Sequence, residues 1–284
     1  LDLWFKYGSL PELEPKIKLA IETVSKKDWL LVVGQIIAHL DESNTQIRQL
    51  IKDLLTSLAD DYPQTLIFPL LIARRSRKTL RNKLAYKIID YIEKRNKALK
   101  EEATILADEL IRVSVIFEEQ WYNGINEAWR YVTENNIDMM VKVLSSLHAN
   151  LTKAKKSLNE ESFYQQYSAT LFTAKEQIDQ YVKYHNEYFF IQAWNTYAEF
   201  YHKMEKRLEN FSYIYLENVS PLLLNFNNSQ LIVPGTKKDA KILKIHSVFS
   251  ILKSKRKPRK FALIGTDGKV YNFLLKGNED LRQD

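Results

Sequence analysis

Glycine and proline are scarce over most of this chain, and their placement constrains its fold more than any other feature. There are 7 of each in 284 residues. Four of the glycines, Gly235, Gly265, Gly268 and Gly277, fall in the last 50 residues. Tight turns therefore gather at the C-terminal end, and the rest must be long helices with few breaks. The expectation is a mainly α protein that changes character near Pro234. At roughly 100–150 residues per domain, the length suggests two or three units.

The balance of 45% apolar and 27% charged residues is that of a folded chain. Cysteine is absent, which removes disulfides, thiolate zinc sites and cysteine nucleophiles, and points to a reducing compartment. No apolar run is long enough to cross a membrane as a helix. The start, Leu1-Asp2-Leu3-Trp4, carries neither an initiator Met nor a signal-like pattern, so the chain is expected to be a piece of something longer. The net charge of +7 is concentrated in the run Lys253–Lys260. Outside that run the charges nearly balance, so no nucleic-acid partner is expected. The five His residues (His39, His148, His185, His202 and His246) lack metal-ligand spacing, and no metal site is expected.

Residues 1–100 read as antiparallel helical hairpins of an α-solenoid end. Ser9-Leu10-Pro11-Glu12 looks like a helix start. Apolar residues recur at helical spacing in Trp29–Leu40 and Ile47–Leu58, and Pro69 is expected to kink or shift the helix over Leu66–Ala73. Four longer helical stretches are expected near 102–132, 136–150, 160–184 and 187–208, arranged as an up-down four-helix bundle over residues 101–208. The bundle is rich in rings: Trp121, Trp129, Tyr131, Phe163, Tyr164, Tyr167, Phe189, Phe190, Trp194, Tyr197, Phe200 and Tyr201. A bundle can bury about half of so many, so the others must face a groove or a partner.

Residues 209–284 turn to β structure. Lys241–Ile245, Val248–Leu252, Lys260–Ile264 and Val270–Leu275 are strand-like, and Gly265-Thr266-Asp267-Gly268 is a hairpin turn. Lys276 ends an apolar strand, and Glu279 and Asp280 open a helix behind it. A strand-borne lysine beside an acidic helix start suits pairing to ATP phosphates. Chemistry alone favours the bland alternative, a solvated lysine after a strand and a basic targeting-type run, because the loop Ser254–Pro258 has no glycine.

The stretch Phe273-Leu274-Leu275-Lys276-Gly277-Asn278-Glu279-Asp280-Leu281-Arg282-Gln283-Asp284 resembles the small-lobe signature of the phosphatidylinositol-3-kinase-related kinases. Asn218–Leu223, Leu231–Thr236 and Lys255–Lys260 resemble the TOR (target of rapamycin) branch of that family. So do Glu109–Val113, Trp121–Ala128 and Gln192-Ala193-Trp194, which are similar to its rapamycin-binding bundle. Leu3–Gly8 and Tyr62–Leu70 are similar to the C-terminal helices of its FAT solenoid, so the resemblance covers the whole chain.

That resemblance implies a fragment of a serine/threonine protein kinase: the FAT end (1–100), the rapamycin-binding bundle (101–208) and the start of a β-rich kinase small lobe (209–284). It implies ATP and magnesium as cofactors. Lys276 would contact phosphate, Glu279 would be its acidic neighbour, Ser254 would lie in the phosphate loop, and Leu252, Pro258 and Leu274 would line the adenine pocket. The catalytic Asp and metal-binding Asp belong to the large lobe, so this piece is expected to be inactive alone. In the bundle, the matching positions form a cleft that recruits substrates, gates the active site and takes rapamycin on an FKBP-type immunophilin. These are Ile125, Trp129, Val132, Thr133, Ile191, Trp194, Asn195, Ala198 and Tyr201. The family has a small Ser in place of Trp129, two aromatics in place of Val132 and Thr133, and a Tyr in place of Ala198. An indole at 129 should fill the cleft floor, at an overpacking cost of roughly 1–3 kcal/mol for a macrolide, so weak drug binding is expected. The implied partners are scaffold subunits, a WD-repeat propeller subunit and protein substrates. The implied location is cytoplasmic, with endomembrane-associated and nuclear pools. Two rivals stand beside this reading: a phosphoinositide lipid kinase, and a non-catalytic helical scaffold.

Overall fold

The computed structural model describes the whole chain except Ser9, Pro11, Arg77, Ala154, 237–239, Lys255 and 278–284. Its backbone divides into two compact units, Leu1–Asp108 with Asn228–Ile242, and Glu109–Asn227 with Leu243–Asp284.

The first unit is helical. Its elements are α1 (Asp2–Tyr7), α2 (Glu14–Thr23), α3 (Lys26–Leu30), α4 (Val33–Ala38), α5 (Thr45–Asp61), α6 (Pro63–Ala73), α7 (Thr79–Arg95) and most of α8 (Lys97–Ser114). Asn44 starts α5 by accepting from the backbone N–H groups of Gln46 and Ile47, satisfying donors that a helix start otherwise leaves unpaired. One face of α5 (Ile47, Ile51, Leu54, Leu55 and Leu58) is buried against α6 and α7. The first helix start differs from expectation: α2 begins at Glu14 with Pro15 in its first turn, and Ser9 and Pro11 lie outside the described residues. The unit is completed by a distant segment. The Glu102 carboxylate accepts from Ser229 Oγ at 2.5 Å and from Gln230 N at 2.9 Å, and Gln64 Nε2 donates to Gln230 O at 3.0 Å.

The second unit holds the bundle, α9 (Phe117–Thr133), α10 (Ile137–Leu151), α11 (Leu158–Tyr184) and α12 (Glu187–Glu209). α9 packs on α10 and α12, and α11 packs on α10 and α12. Three of the expected helices are found within a few residues. The first is not one helix: the stretch near 102–132 breaks at Val115-Ile116 into α8 and α9. Ile116 is extended (φ −72, ψ 169), and Glu119 Oε2 accepts its backbone N–H at 3.0 Å. Two β-branched residues weaken the helix there, and two acids in the next turn favour a new N-terminus.

The bundle core is aromatic. Trp121 meets His148, Phe200 and Phe163, and Phe163 meets Phe200 edge-on at 5.9 Å. Of the twelve rings singled out in the sequence, only Trp121, Phe163, Tyr197 and Phe200 are fully buried, fewer than half. Aliphatic side chains such as Leu144, Leu171 and Ile178 share the core with them, and Tyr131, Tyr164, Tyr167, Phe190, Trp194 and Tyr201 pack partly buried against it.

After the bundle come β1 (Tyr213–Tyr215), α13 (Leu216–Val219), α14 (Pro221–Leu224), β2 (Ile242–Ile245), β3 (Val248–Ile251), β4 (Arg259–Gly265) and β5 (Val270–Leu275). The strand order is β1-β3-β4-β2, with β5 also paired to β4. The β4–β5 hairpin has the expected turn: Ile264 faces Val270, Gly265 N donates to Lys269 O, and Gly268 takes φ +76, which glycine adopts without strain. Phe249, Phe261 and Phe273 stack across three strands at 5.0 and 5.4 Å and hold one face of the sheet together. The short elements β1, α13 and α14 carry too little periodicity to be read from sequence.

Candidate functional site

The bundle presents an aromatic strip where α9 and α12 meet. Ile125, Trp129, Val132 and Thr133 recur at helical spacing on α9, and Ile191, Trp194, Asn195, Ala198 and Tyr201 on α12. Ile125 is buried, whereas Trp129 is 46% exposed. The Trp129 indole stacks on Trp194 at 5.0 Å with 25° between the ring planes, and Phe190 stacks on Trp194 at 5.9 Å. Trp129 therefore does not form the floor. Ile125 is the buried member, and Trp129 instead covers a face of Trp194 that another ring would use. Ile191 is 52% exposed, and Asn195 is also exposed. The Thr133 hydroxyl donates back to Arg130 O, so it is spent on its own helix. Val132, Ala198 and Tyr201 are half-buried. Tyr201 stacks on Tyr122 at 4.5 Å and donates its hydroxyl to the Tyr122 oxygen at 2.9 Å. That bond, with burial, pushes the Tyr122 phenol well above its ordinary range.

The second set lies on the sheet. The backbone closes the loop after β3, because Leu252 N donates to Pro258 O at 3.0 Å, Ser254 N to Leu252 O at 2.9 Å and Lys257 N to Ser254 O at 3.1 Å. Leu274 sits opposite Lys260 across β4–β5, and Leu275 opposite Arg259. Continuing that register places Lys276 beside Pro258. Side chains alternate along a strand, so Leu252, Pro258, Leu274 and Lys276 share one sheet face. Leu252 and Leu274 are exposed there. Glu279 lies outside the described residues. Arg259, Phe261 and Leu263 point to the opposite, buried face.

Several buried polar residues are not evident from sequence. Arg259 on β4 donates to Glu119 on α9 and to Lys257 O. Glu118 accepts from Asn159 at 2.9 Å and pairs with Arg207 at 3.4 Å. Glu109 accepts from Ser220 Oγ at 2.6 Å and pairs with Arg112. Burial raises the Glu109 carboxyl, but the Arg112 and Ser220 hydrogen bonds outweigh it and hold the group below its usual value. The one available signal is alternation: Arg259 shares its strand parity with Phe261 and Leu263.

Residues 109–206 match the family described as the FKBP12-rapamycin binding (FRB) domain. Residues 12–109 match the ATR-like serine/threonine-protein kinase family with HEAT repeats. The serine/threonine-protein kinase TOR of Arabidopsis thaliana is 37% identical over 294 residues, covering 100% of this chain and 12% of the relative. That of Oryza sativa is 36% identical over 289 residues, with the same coverage. The chain is homologous to the TOR kinases and carries an FRB domain. TOR2 of Saccharomyces cerevisiae is a further homologue, 34% identical over 290 residues. The resemblance drawn from the short motifs thus holds for the whole chain, and the chain spans 12% of the length of these TOR relatives. The FRB match encloses the bundle and its aromatic strip. No helix among the described residues is long and apolar enough to cross a membrane.

Proposed function

We propose that this chain is the part of a TOR-type serine/threonine kinase that recruits protein substrates and gates the active site through the α9–α12 strip. The observation that carries this reading is the half-exposed Trp129–Trp194 stack within the FRB-matching bundle. Exposed indoles backed by a rigid core are the residues that anchor protein contacts. On this reading 1–100 is the FAT end, 101–208 the FRB bundle and 209–284 the start of the kinase small lobe.

The sheet face fits one part of ATP. Leu252, Pro258 and Leu274 offer an apolar slab for the base, and Lys276 stands at its edge to meet phosphate. ATP supplies the phosphoryl group to be transferred. This chain's residues bind and orient it, and the closed 252–258 loop covers it without needing glycine. Among the described residues no group of three or more His, Cys, Asp or Glu could hold a metal ion. Scaffold subunits and a WD-repeat propeller subunit are the proposed assembly partners, in the cytoplasm and on endomembranes.

Drug binding is proposed to be weak. Trp129 already occupies a face of Trp194, and a macrolide must displace it. The test is capture of the 284-residue chain by an FKBP-type immunophilin, with and without rapamycin, for wild type and Trp129→Ser. The expected result is no drug-dependent capture of wild type and a gain in the variant. Tight drug-dependent capture of wild type overturns the blocked cleft.

A further inference from the structure

The loop 252–258 turns back on itself without a glycine. Lys257 takes φ +44, in the left-handed region that a residue with a Cβ enters only under strain. Such a conformation persists only where its surroundings impose it. Within the loop, Leu252 N donates to Pro258 O at 3.0 Å and Lys257 N to Ser254 O at 3.1 Å. The Lys257 carbonyl is held from β4, where it accepts from the Arg259 guanidinium.

The same guanidinium reaches α9. Arg259 is 1% exposed, and its other outer nitrogen donates to Glu119 Oε2. That oxygen also accepts the Ile116 N–H at the start of α9. A guanidinium is a planar, permanently charged fork, so its two outer nitrogens hold two acceptors in a fixed relation. Glu119 is anchored on the bundle, Arg259 spans the gap, and the Lys257 carbonyl is fixed at the far end. Pro258 lies between Lys257 and Arg259, and its own carbonyl holds Leu252. Fixing residues 257 and 259 therefore fixes where Leu252 and Pro258 sit on the sheet face they share.

We propose that Arg259, held by Glu119, is a positioning residue for the nucleotide: it sets the loop 252–258 in the shape that covers ATP. The bundle thereby supplies the conformational control that glycine supplies in other phosphate-covering loops. Arg259 acts through the loop and not by contact. Leu274 pairs with Lys260, and Arg259 precedes Lys260 on β4, so Arg259 and Leu274 lie on opposite sheet faces. The inference rests on the reading of the Leu252–Leu274 face as the ATP site.

The test uses Glu119→Leu combined with Arg259→Met, which removes the strut without stranding a buried charge. Arg259→Lys, which keeps the charge but not the fork, takes its place where the double variant does not melt cooperatively. The first readout is amide exchange at Leu252, Ser254 and Lys257 in the 284-residue chain. Exchange about tenfold faster than in wild type is expected. Adding Lys257→Gly, which takes the left-handed conformation without strain, should restore most of the protection. The second readout is the ATP dependence of the full-length kinase carrying the same substitutions. KM for ATP should rise about fivefold with kcat unchanged, and Lys257→Gly should reverse the rise. Unchanged loop exchange in a folded variant overturns the proposal, and so does a KM that stays high after Lys257→Gly. Faster exchange with an unchanged KM also overturns it when Lys276→Ala impairs ATP use. If Lys276→Ala is equally without effect, the ATP-face reading has failed and the proposal falls with it. None of these results touches the aromatic-strip reading, which the immunophilin capture tests separately.

Discussion

Arg259 of β4 and Glu119 of α9 form an ion pair in which both side chains are almost fully buried, 140 positions apart in the chain. Removing one partner strands a charge away from water, at a cost of about 3–5 kcal/mol. Arg259→Met should therefore lower urea stability by that amount. Glu119→Leu combined with Arg259→Met should recover most of it, less about 1 kcal/mol for the lost contact of Glu119 with the Ile116 N–H. A double variant as unstable as the single one would show that the pair is not the source of the loss.

His148 makes the bundle acid-sensitive. Its Nε2 lies 2.8 Å from Tyr197 Oη, its Nδ1 has no hydrogen-bond partner among the described residues, and burial, assisted by nearby Lys175, pulls the imidazole down to about 4. In the unfolded chain the ordinary value of 6.5 applies, so the unfolded state takes up the proton first as pH falls. Stability is complete above about 6.5 and drains away between about 6.5 and 4, by on the order of 3 kcal/mol. Urea midpoints measured across that range should fall for wild type and fall much less for His148→Gln. Parallel curves would remove His148 from the account.

Gly124 of α9 packs against Leu147 of α10. A Cβ there would stand 2.7 Å from Leu147 Cδ1 and 3.1 Å from Cγ. Helix propensity favours alanine by about 1 kcal/mol, but overpacking costs about 1–3 kcal/mol and should win. Gly124→Ala is expected to destabilise the bundle, and Leu147→Ala in the same chain should relieve the clash, giving a clear coupling energy in a double-mutant cycle. A gain in stability from Gly124→Ala alone would contradict the close approach.

Trp194 has three ring neighbours, Trp129, Phe190 and Tyr197, whereas Trp129 has one ring neighbour among the described residues. Each ring contact contributes about 0.5–1.5 kcal/mol beyond area burial. Trp194→Ala should therefore cost more stability than Trp129→Ala by at least one such contact. Equal losses would mean that the Phe190–Trp194 stack contributes nothing to stability.

Much of this architecture is legible in the sequence because local signals act locally. Asn44 and Ser157 cap helices with their own side chains, and Gly268 supplies the left-handed turn residue of the β4–β5 hairpin. The break at Val115-Ile116 escapes a reading of the sequence because no glycine or proline marks it. It depends on Glu119 reaching back to the Ile116 N–H. Resemblance points to the right residues of the aromatic strip, but the stacking of Trp129 on Trp194 depends on the packing of α9 against α12, which spacing on either helix does not reveal. Arg259 reads in the sequence as one more charge in a basic run, and only its pairing partner 140 positions away makes it a core residue.

The contacts of Glu102 with Ser229 and Gln230 set a timetable. The partners are 127 and 128 positions apart, and the whole bundle is encoded between them. A ribosome adding roughly 5–20 residues per second needs roughly 6–25 s to cover that distance. Until Ser229 and Gln230 emerge, the N-terminal helices lack their closing segment, whereas the last bundle helix ends at Glu209 and so is complete 20 residues earlier. The piece encoded in the middle is therefore able to finish folding before the piece that was started first.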